Sequence, residues 1–195
     1  MLVTWMYNDL EGGDEGIVRE ALIAVGYGMF NWGSLLVALG GGDGGGGGWG
    51  GSSGNGVMGG GGVGGLDCYS KGVVWTVVVS GVIFTTMQVQ DLKDREGDRG
   101  RGRRTVVLLF GEEVSRCSIA GFVCFWTCAC SLFWGLGWLA YVGFAGVAVV
   151  VVVRVLLVRW SYREDARTWR WWCFWHSSLY LMPVVSLVER KLLLG

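Results

Sequence analysis

Five long apolar runs decide what this chain can fold into. They cover residues 17–39, 72–90, 118–135, 136–158 and 172–188. Each is near the roughly 20 residues that a helix needs to cross the hydrocarbon layer of a bilayer. An open strand would carry unpaired backbone groups into that layer, so the runs predict helices. A soluble all-α core would need polar faces on its outer helices, and Val147 to Val153 with its flanks has none. Charged residues make up 16% of the chain, against about a quarter in a soluble domain. The fold class read from the sequence is all-α, a multi-pass transmembrane helical bundle of about five spans. The first run is the most polar, because Arg19, Glu20 and Asn31 fall inside it.

Basic residues give the orientation. Lys93, Arg95, Arg99, Arg101, Arg103, Arg104 and Arg116 lie between the second and third runs. Arg154, Arg159, Arg163, Arg167 and Arg170 lie between the fourth and fifth. The two intervening spans, joined at Gly135-Leu136-Gly137, bring the chain back to the same side, so both segments are expected in the cytosol. The N-terminus is expected there too, and no secretory signal follows Met1. The organisation read from the sequence has three parts: residues 1–39 with the first membrane helix, a flexible linker at 40–71, and a helical bundle at 72–195. Residues 40–65 hold 18 glycines, too many to recover the entropy of ordering them. Gly54 to Gly59 (GNGVMG) satisfies GxGxxG there, but with no strand before it and no helix after it the match reads as chance. Cys124, Cys128 and Cys130 have no His or carboxylate nearby and are expected to be buried free thiols. The net charge of zero offers nothing to nucleic acid, which is not expected as a partner.

Met87 to Thr105 (MQVQDLKDREGDRGRGRRT) crowds charges of both signs between two apolar runs. If the preceding helix continues by a turn or two, Asp91, Asp94 and Asp98 fall on one face. Carboxylates collected in this way repel each other unless a cation sits among them. Mg²⁺ suits such a set, since it takes a few carboxylates, several waters and phosphate oxygens. The interleaved Lys93, Arg95, Arg99, Arg103 and Arg104 offer donors to a polyanion. Gly97, Gly100 and Gly102 would let the backbone turn where the helix ends. An EF-hand does not fit, because Arg99 and Thr105 occupy the positions of the required Gly and bidentate Glu. By spacing alone two readings stay open: a water-facing connector with balanced charge, and a metal-bridged diphosphate site in the loop at 91–104.

QDLKDREGDRGRGRRT resembles the second aspartate-rich motif of the UbiA family of intramembrane prenyltransferases, close to DxxDxxGDxxxGRRT. Asp91, Asp94, Gly97, Asp98, Gly102 and Thr105 fall in place. Residues 5–30 (WMYNDLEGGDEGIVREALIAVGYGMF) and 165–185 (DARTWRWWCFWHSSLYLMPVV) are similar to fungal members. The resemblance implies a bundle of nine transmembrane helices, with this motif in the cytosolic loop between the sixth and seventh. Three apolar runs follow the motif here and two precede it, so the chain resembles the C-terminal five helices. The family's first motif, NxxxDxxxD, has no counterpart: Asn8, Asp9 and Asp14 do not fit it. A prenyltransferase and a truncated, non-catalytic membrane protein are thus both open.

For site residues the resemblance implies Asp94 and Asp98 as Mg²⁺ ligands, with Asp91 as a third ligand or their support. Lys93 and Arg104 are candidates for diphosphate contacts. The implied partners are an isoprenoid diphosphate, a lipophilic acceptor and the lipid bilayer. The implied activity is Mg²⁺-dependent transfer of an isoprenoid group from its diphosphate to an aromatic or other lipophilic acceptor. Some fungal members with this loop instead look like terpene cyclases acting on farnesyl diphosphate, within terpenoid biosynthesis. Trp169, Trp171, Trp172 and Trp175 are expected in an interfacial belt or in packing. His176 is expected to be a satisfied or lipid-interface residue.

Overall fold

The computed structural model describes residues 14–40, 63–158 and 161–194. The glycine tract at 41–62, including GNGVMG, and Asn8 and Asp9 lie outside the described residues. Among the described residues the chain is helical throughout: α1 (Gly16–Gly40), α2 (Val63–Thr86), α3 (Val89–Gly100), α4 (Val106–Phe110), α5 (Glu112–Trp134), α6 (Trp138–Leu157), α7 (Tyr162–Leu179) and α8 (Met182–Leu194). The only bridge of β type there joins Glu15 to Arg104.

Four helices are long and apolar enough to cross a membrane: α1, α2, α5 and α6. The fifth apolar run differs from expectation, since it is divided between α7 and α8 at Tyr180 and Leu181. Pro183 gives the physical reason. It lacks the N–H that would continue the α7 ladder, and its ring would clash with the carbonyl four residues back, so it falls in the first turn of a new helix. The second run also differs at both ends. Its helix begins at Val63 and stops at Thr86, and a turn at Met87-Gln88 leads into α3.

α1 packs on α2, α5 on α6, and α7 on both α3 and α6. The core between them is built from Val82, Ile83, Leu92, Ile119, Val151 and Trp175, each 1% exposed or less. Indole N–H groups in an apolar interior need acceptors. Trp126, Trp172 and Trp175 donate to the hydroxyls of Thr85, Thr86 and Thr127, at 2.8, 3.0 and 2.9 Å. Each of those hydroxyls in turn donates to the carbonyl four residues earlier, so these three indoles and three hydroxyls are all satisfied, whereas the buried Nε1 atoms of Trp134 and Trp169 have no partner. Trp172 and Trp175 are therefore packing residues, as the sequence suggested.

The thiols of α5 depart from expectation. Cys130 is buried, but Cys124 and Cys128 are exposed on the outer side of the helix. All are free, and the apolar side-chain pattern of α5 is broad enough to place cysteine on either face. α5 ends at Gly135, whose φ of +62° allows the amides of Gly135 and Leu136 to reach the carbonyls of Leu132 and Ser131.

The start of α1 is fastened to the end of the charged loop by main-chain bonds. Gly16 N donates to Arg104 O at 2.8 Å, and Arg104 N donates to Asp14 O at 2.9 Å. A Cβ on Gly16 would lie 2.6 Å from Val106 N and 2.7 Å from Arg104 O. Gly16→Ala should therefore destabilise the protein by about 1–3 kcal/mol through overpacking. Gly26→Ala, with nothing within 4 Å of the new methyl, should leave stability unchanged or slightly raised. Thermal unfolding of both variants in one detergent checks this, and equal losses would refute it.

Candidate functional site

The charged loop is mostly helix. α3 continues through Gly97 to Gly100, and the turn comes at Gly102, with φ +72°. Arg101 N and Arg103 N close the helix end by donating to Gly97 O and Asp98 O at 3.2 and 3.0 Å. Asp91, Asp94 and Asp98, three and four residues apart, share one side of α3.

The C-terminal part of α3 opens onto a pocket of about 540 Å³, lined by Lys93, Asp94, Arg95, Glu96, Asp98, Arg101 and Arg103, with Tyr162 and Asp165 of α7 also in the lining. Two of the carboxylates expected as ligands, Asp94 and Asp98, are thus brought together with four bases. Lys93 Nζ lies 2.9 Å from Asp94 Oδ2 and 5.5 Å over the ring of Trp169, so its charge is held above an aromatic face. Arg103 bridges two acids: Nη1 donates to Asp98 Oδ1 at 3.2 Å and Nε to Asp14 Oδ1 at 2.7 Å. Those bonds raise the Arg103 pKa further.

Two expected residues stand apart from the pocket. Arg104 is 66% exposed and faces Glu15 at 3.5 Å. Its neighbour Arg103 takes the pocket position instead. Asp91 is buried and paired with Arg19 of α1. Burial pushes the Asp91 carboxyl above the usual range, against the pull of the Arg19 guanidinium.

The wall opposite α3 rests on a pair that sequence reading missed. Arg116 is fully buried, and its Nη2 donates to Asp165 Oδ1 at 2.7 Å. Nη1 donates to Val155 O at 3.0 Å, and Nε to Glu112 Oε1 at 2.8 Å. Glu112 also accepts from Arg95, which closes a chain of charge from α3 through α5 to α7. The start of α7 is set by Ser161, whose hydroxyl accepts from Arg163 N, with Glu164 three residues on and Asp165 in the first turn. The signal in the sequence was the spacing Glu112 to Arg116 at the mouth of an apolar run, which resembles an ordinary flanking charge.

Among the described residues no three His, Cys, Asp or Glu side chains form a metal-binding group. Mg²⁺ does not require one, since it is commonly held by one or two carboxylates plus waters and substrate phosphates. Asp94 and Asp98 lie one turn apart, and the buried Asp98 Oδ2 has no hydrogen-bond partner. The donor set therefore fits that ion.

The profile of the UbiA prenyltransferase family matches residues 2–179. The chain belongs to that family. Fumagillin beta-trans-bergamotene synthase of Aspergillus fumigatus is 26% identical over 192 residues, covering 96% of this chain and 56% of that protein. The chain thus spans little more than half the length of the curated relative it matches. No solved structure matches it. Within this UbiA chain the all-helical bundle and the membrane-length helices agree with the fold expected from the resemblance.

Arg116→Leu should cost about 3–5 kcal/mol, because it leaves Asp165 buried without a partner. Adding Asp165→Leu should recover part of that loss, since the stranded charge is then gone. A thermal-unfolding double-mutant cycle measures both, and additive losses would show that the pair is not coupled.

Proposed function

We propose that the chain binds an isoprenoid diphosphate with Mg²⁺ at the α3 pocket and releases diphosphate from it, with the allylic cation captured by double bonds of its own chain. The observation that carries this reading is the pocket itself, where Asp94 and Asp98 stand with Glu96 and Asp165 among Lys93, Arg95, Arg101 and Arg103. Asp94 and Asp98 would hold Mg²⁺, whose charge offsets that of the diphosphate oxygens. Lys93 and the arginines donate to those oxygens, and they gain most as the carbon–oxygen bond breaks and its electron pair moves to the leaving oxygen. Arg103, already shared between Asp98 and Asp14, is the arginine best held for this contact, ahead of the exposed Arg104. The isoprenoid chain would extend away from the charged end into the apolar layer, where water cannot intercept the cation. A proton lost from the final cation completes a hydrocarbon product.

Intramolecular capture is favoured over transfer because the relative aligned across nearly the whole chain is named a bergamotene synthase. Farnesyl diphosphate is the proposed substrate. Transfer to an aromatic or other lipophilic acceptor is the second reading, supported by the name of the family. The clustered Lys and Arg residues support a cytosolic position for the pocket.

The full chain, reconstituted in lipid with Mg²⁺ and farnesyl diphosphate alone, is expected to release a sesquiterpene hydrocarbon. Asp94→Asn should slow release at least a hundredfold, the scale on which removing one transition-state contact acts. Diphosphate release only when an aromatic acceptor is added would select the transfer reading. No release under either condition would refute both and leave a non-catalytic membrane protein.

A further inference from the structure

Where α7 meets α1, one polar side chain is buried and unused by the packing around it. His176 is 8% exposed, and its Nε2 has no hydrogen-bond partner among the described residues. Its neighbours are rings. Trp172 stacks on the imidazole with centroids 5.3 Å apart, while Tyr27 of α1 and Tyr180 meet it edge-on at 6.3 and 5.5 Å. The polar atoms of two of those rings are committed elsewhere. Trp172 Nε1 donates to the Thr86 hydroxyl at 3.0 Å, and the Tyr180 hydroxyl accepts from Asn31 Nδ2 at 3.2 Å. A phenylalanine would fill this place without leaving a buried polar atom unpaired, a defect that costs stability. Departures of that kind concentrate at functional sites.

The place of His176 relative to the pocket gives the unpaired nitrogen a use. Asp165, Trp169, Trp172 and His176 follow one another at spacings of four, three and four residues, so they share one side of α7. That side begins in the pocket lining at Asp165, and Lys93 of the same lining lies over the ring of Trp169, the next residue along it. His176 lies about 16 Å beyond Asp165 along the helix axis, from the rise per residue of an α-helix. A farnesyl chain with its diphosphate at the pocket and its hydrocarbon along this side would bring its distal double bonds beside the imidazole. At that level α1 meets α7 through side chains, the Tyr27 ring and the Asn31 amide, so rotamer changes there can admit a chain.

We propose that His176 is the base that takes the terminating proton from the cyclised cation. The assignment rests on the cyclisation reading above and adds the proton acceptor that it leaves unnamed. In the tautomer with its proton on Nδ1, Nε2 presents a free lone pair. The C–H bond next to the cationic carbon breaks, its electron pair forms the new C=C bond, and the proton passes to Nε2. The imidazolium gives that proton to water once the hydrocarbon has left. A base fixed at one point takes one of several neighbouring hydrogens, so His176 also decides which alkene isomer is released.

The test follows two products of the full chain in lipid nanodiscs with Mg²⁺ and farnesyl diphosphate: free diphosphate, and hydrocarbons resolved by gas chromatography with mass detection. In His176→Phe, diphosphate release, which precedes proton loss, should fall less than threefold. The main wild-type hydrocarbon should fall about a hundredfold, the scale on which a general base acts, with alkene isomers or alcohols in its place. His176→Gln, which keeps a polar side chain without a basic lone pair, should show the same split. Thermal unfolding of His176→Phe should match or exceed the wild type, because the unpaired nitrogen is gone. If either variant makes the wild-type hydrocarbon at the wild-type rate, His176 is not the base and the cyclisation reading stands. Parallel loss of diphosphate release and hydrocarbon, with a lowered melting temperature, would make His176 a packing residue and overturn the proposal. A wild-type chain that makes no hydrocarbon overturns the cyclisation reading and this assignment with it.

Discussion

Charge taken out of water has to be paired, and that requirement sets how the helices of this bundle meet. Arg116 is buried completely near the start of α5 and ties that helix to two others at once. It fixes Asp165 of α7 while taking the last-turn carbonyl of Val155 on α6, so neither helix can slide without stranding a charge. Arg19 does the same between α1 and α3. Both arginines sit at the end of the bundle that carries the Asp-rich helix. The helices around the pocket are thus braced by buried ion pairs.

The two kinds of side chain divide the bundle. Aromatic residues are abundant, yet the buried indoles of Trp172 and Trp175 are occupied by threonine hydroxyls within the packing. Trp169 is the exception, because Lys93 lies over its ring at the junction of the charged end and the apolar layer. His176 stacks on Trp172 with ring centroids 5.3 Å apart and meets Tyr27 and Tyr180 edge-on. It was expected to be satisfied or at the lipid interface; instead it is buried among these rings, and its Nε2 has no hydrogen-bond partner among the described residues. Asn31, another polar residue of α1, meets Tyr180 at 3.2 Å, which accounts for its presence in an apolar run.

Much of this was legible in the chain. Apolar run length alone gives four of the membrane-length helices, and the spacing of Asp91, Asp94 and Asp98 gives one side of α3. What stayed hidden depends on contacts between distant segments. Arg103 and Arg104 are equivalent in sequence, and only the approach of Asp14 and Glu15 decides that the former faces the pocket. Asp165 reads as a helix-start acid until Arg116, 49 positions earlier, is seen against it. The division of the last run at Tyr180 was foreshadowed by Pro183, but an apolar count gives proline no weight. Glu20 and Arg19 looked like blemishes in a membrane span, because their partner lies on another helix.

The clasp between Gly16 and the end of the loop uses backbone atoms on both sides, so its main-chain bonds do not depend on which side chains residues 103–106 carry. The side chains there add their own ties, Arg103 to Asp98 and Asp14 and Arg104 to Glu15, so the clasp is held by backbone and charge together, provided that position 16 keeps its missing methyl. One hydrogen atom of α1, where any other residue would carry a carbon, thus decides whether the Asp-rich helix and the first membrane-length helix can lie against each other.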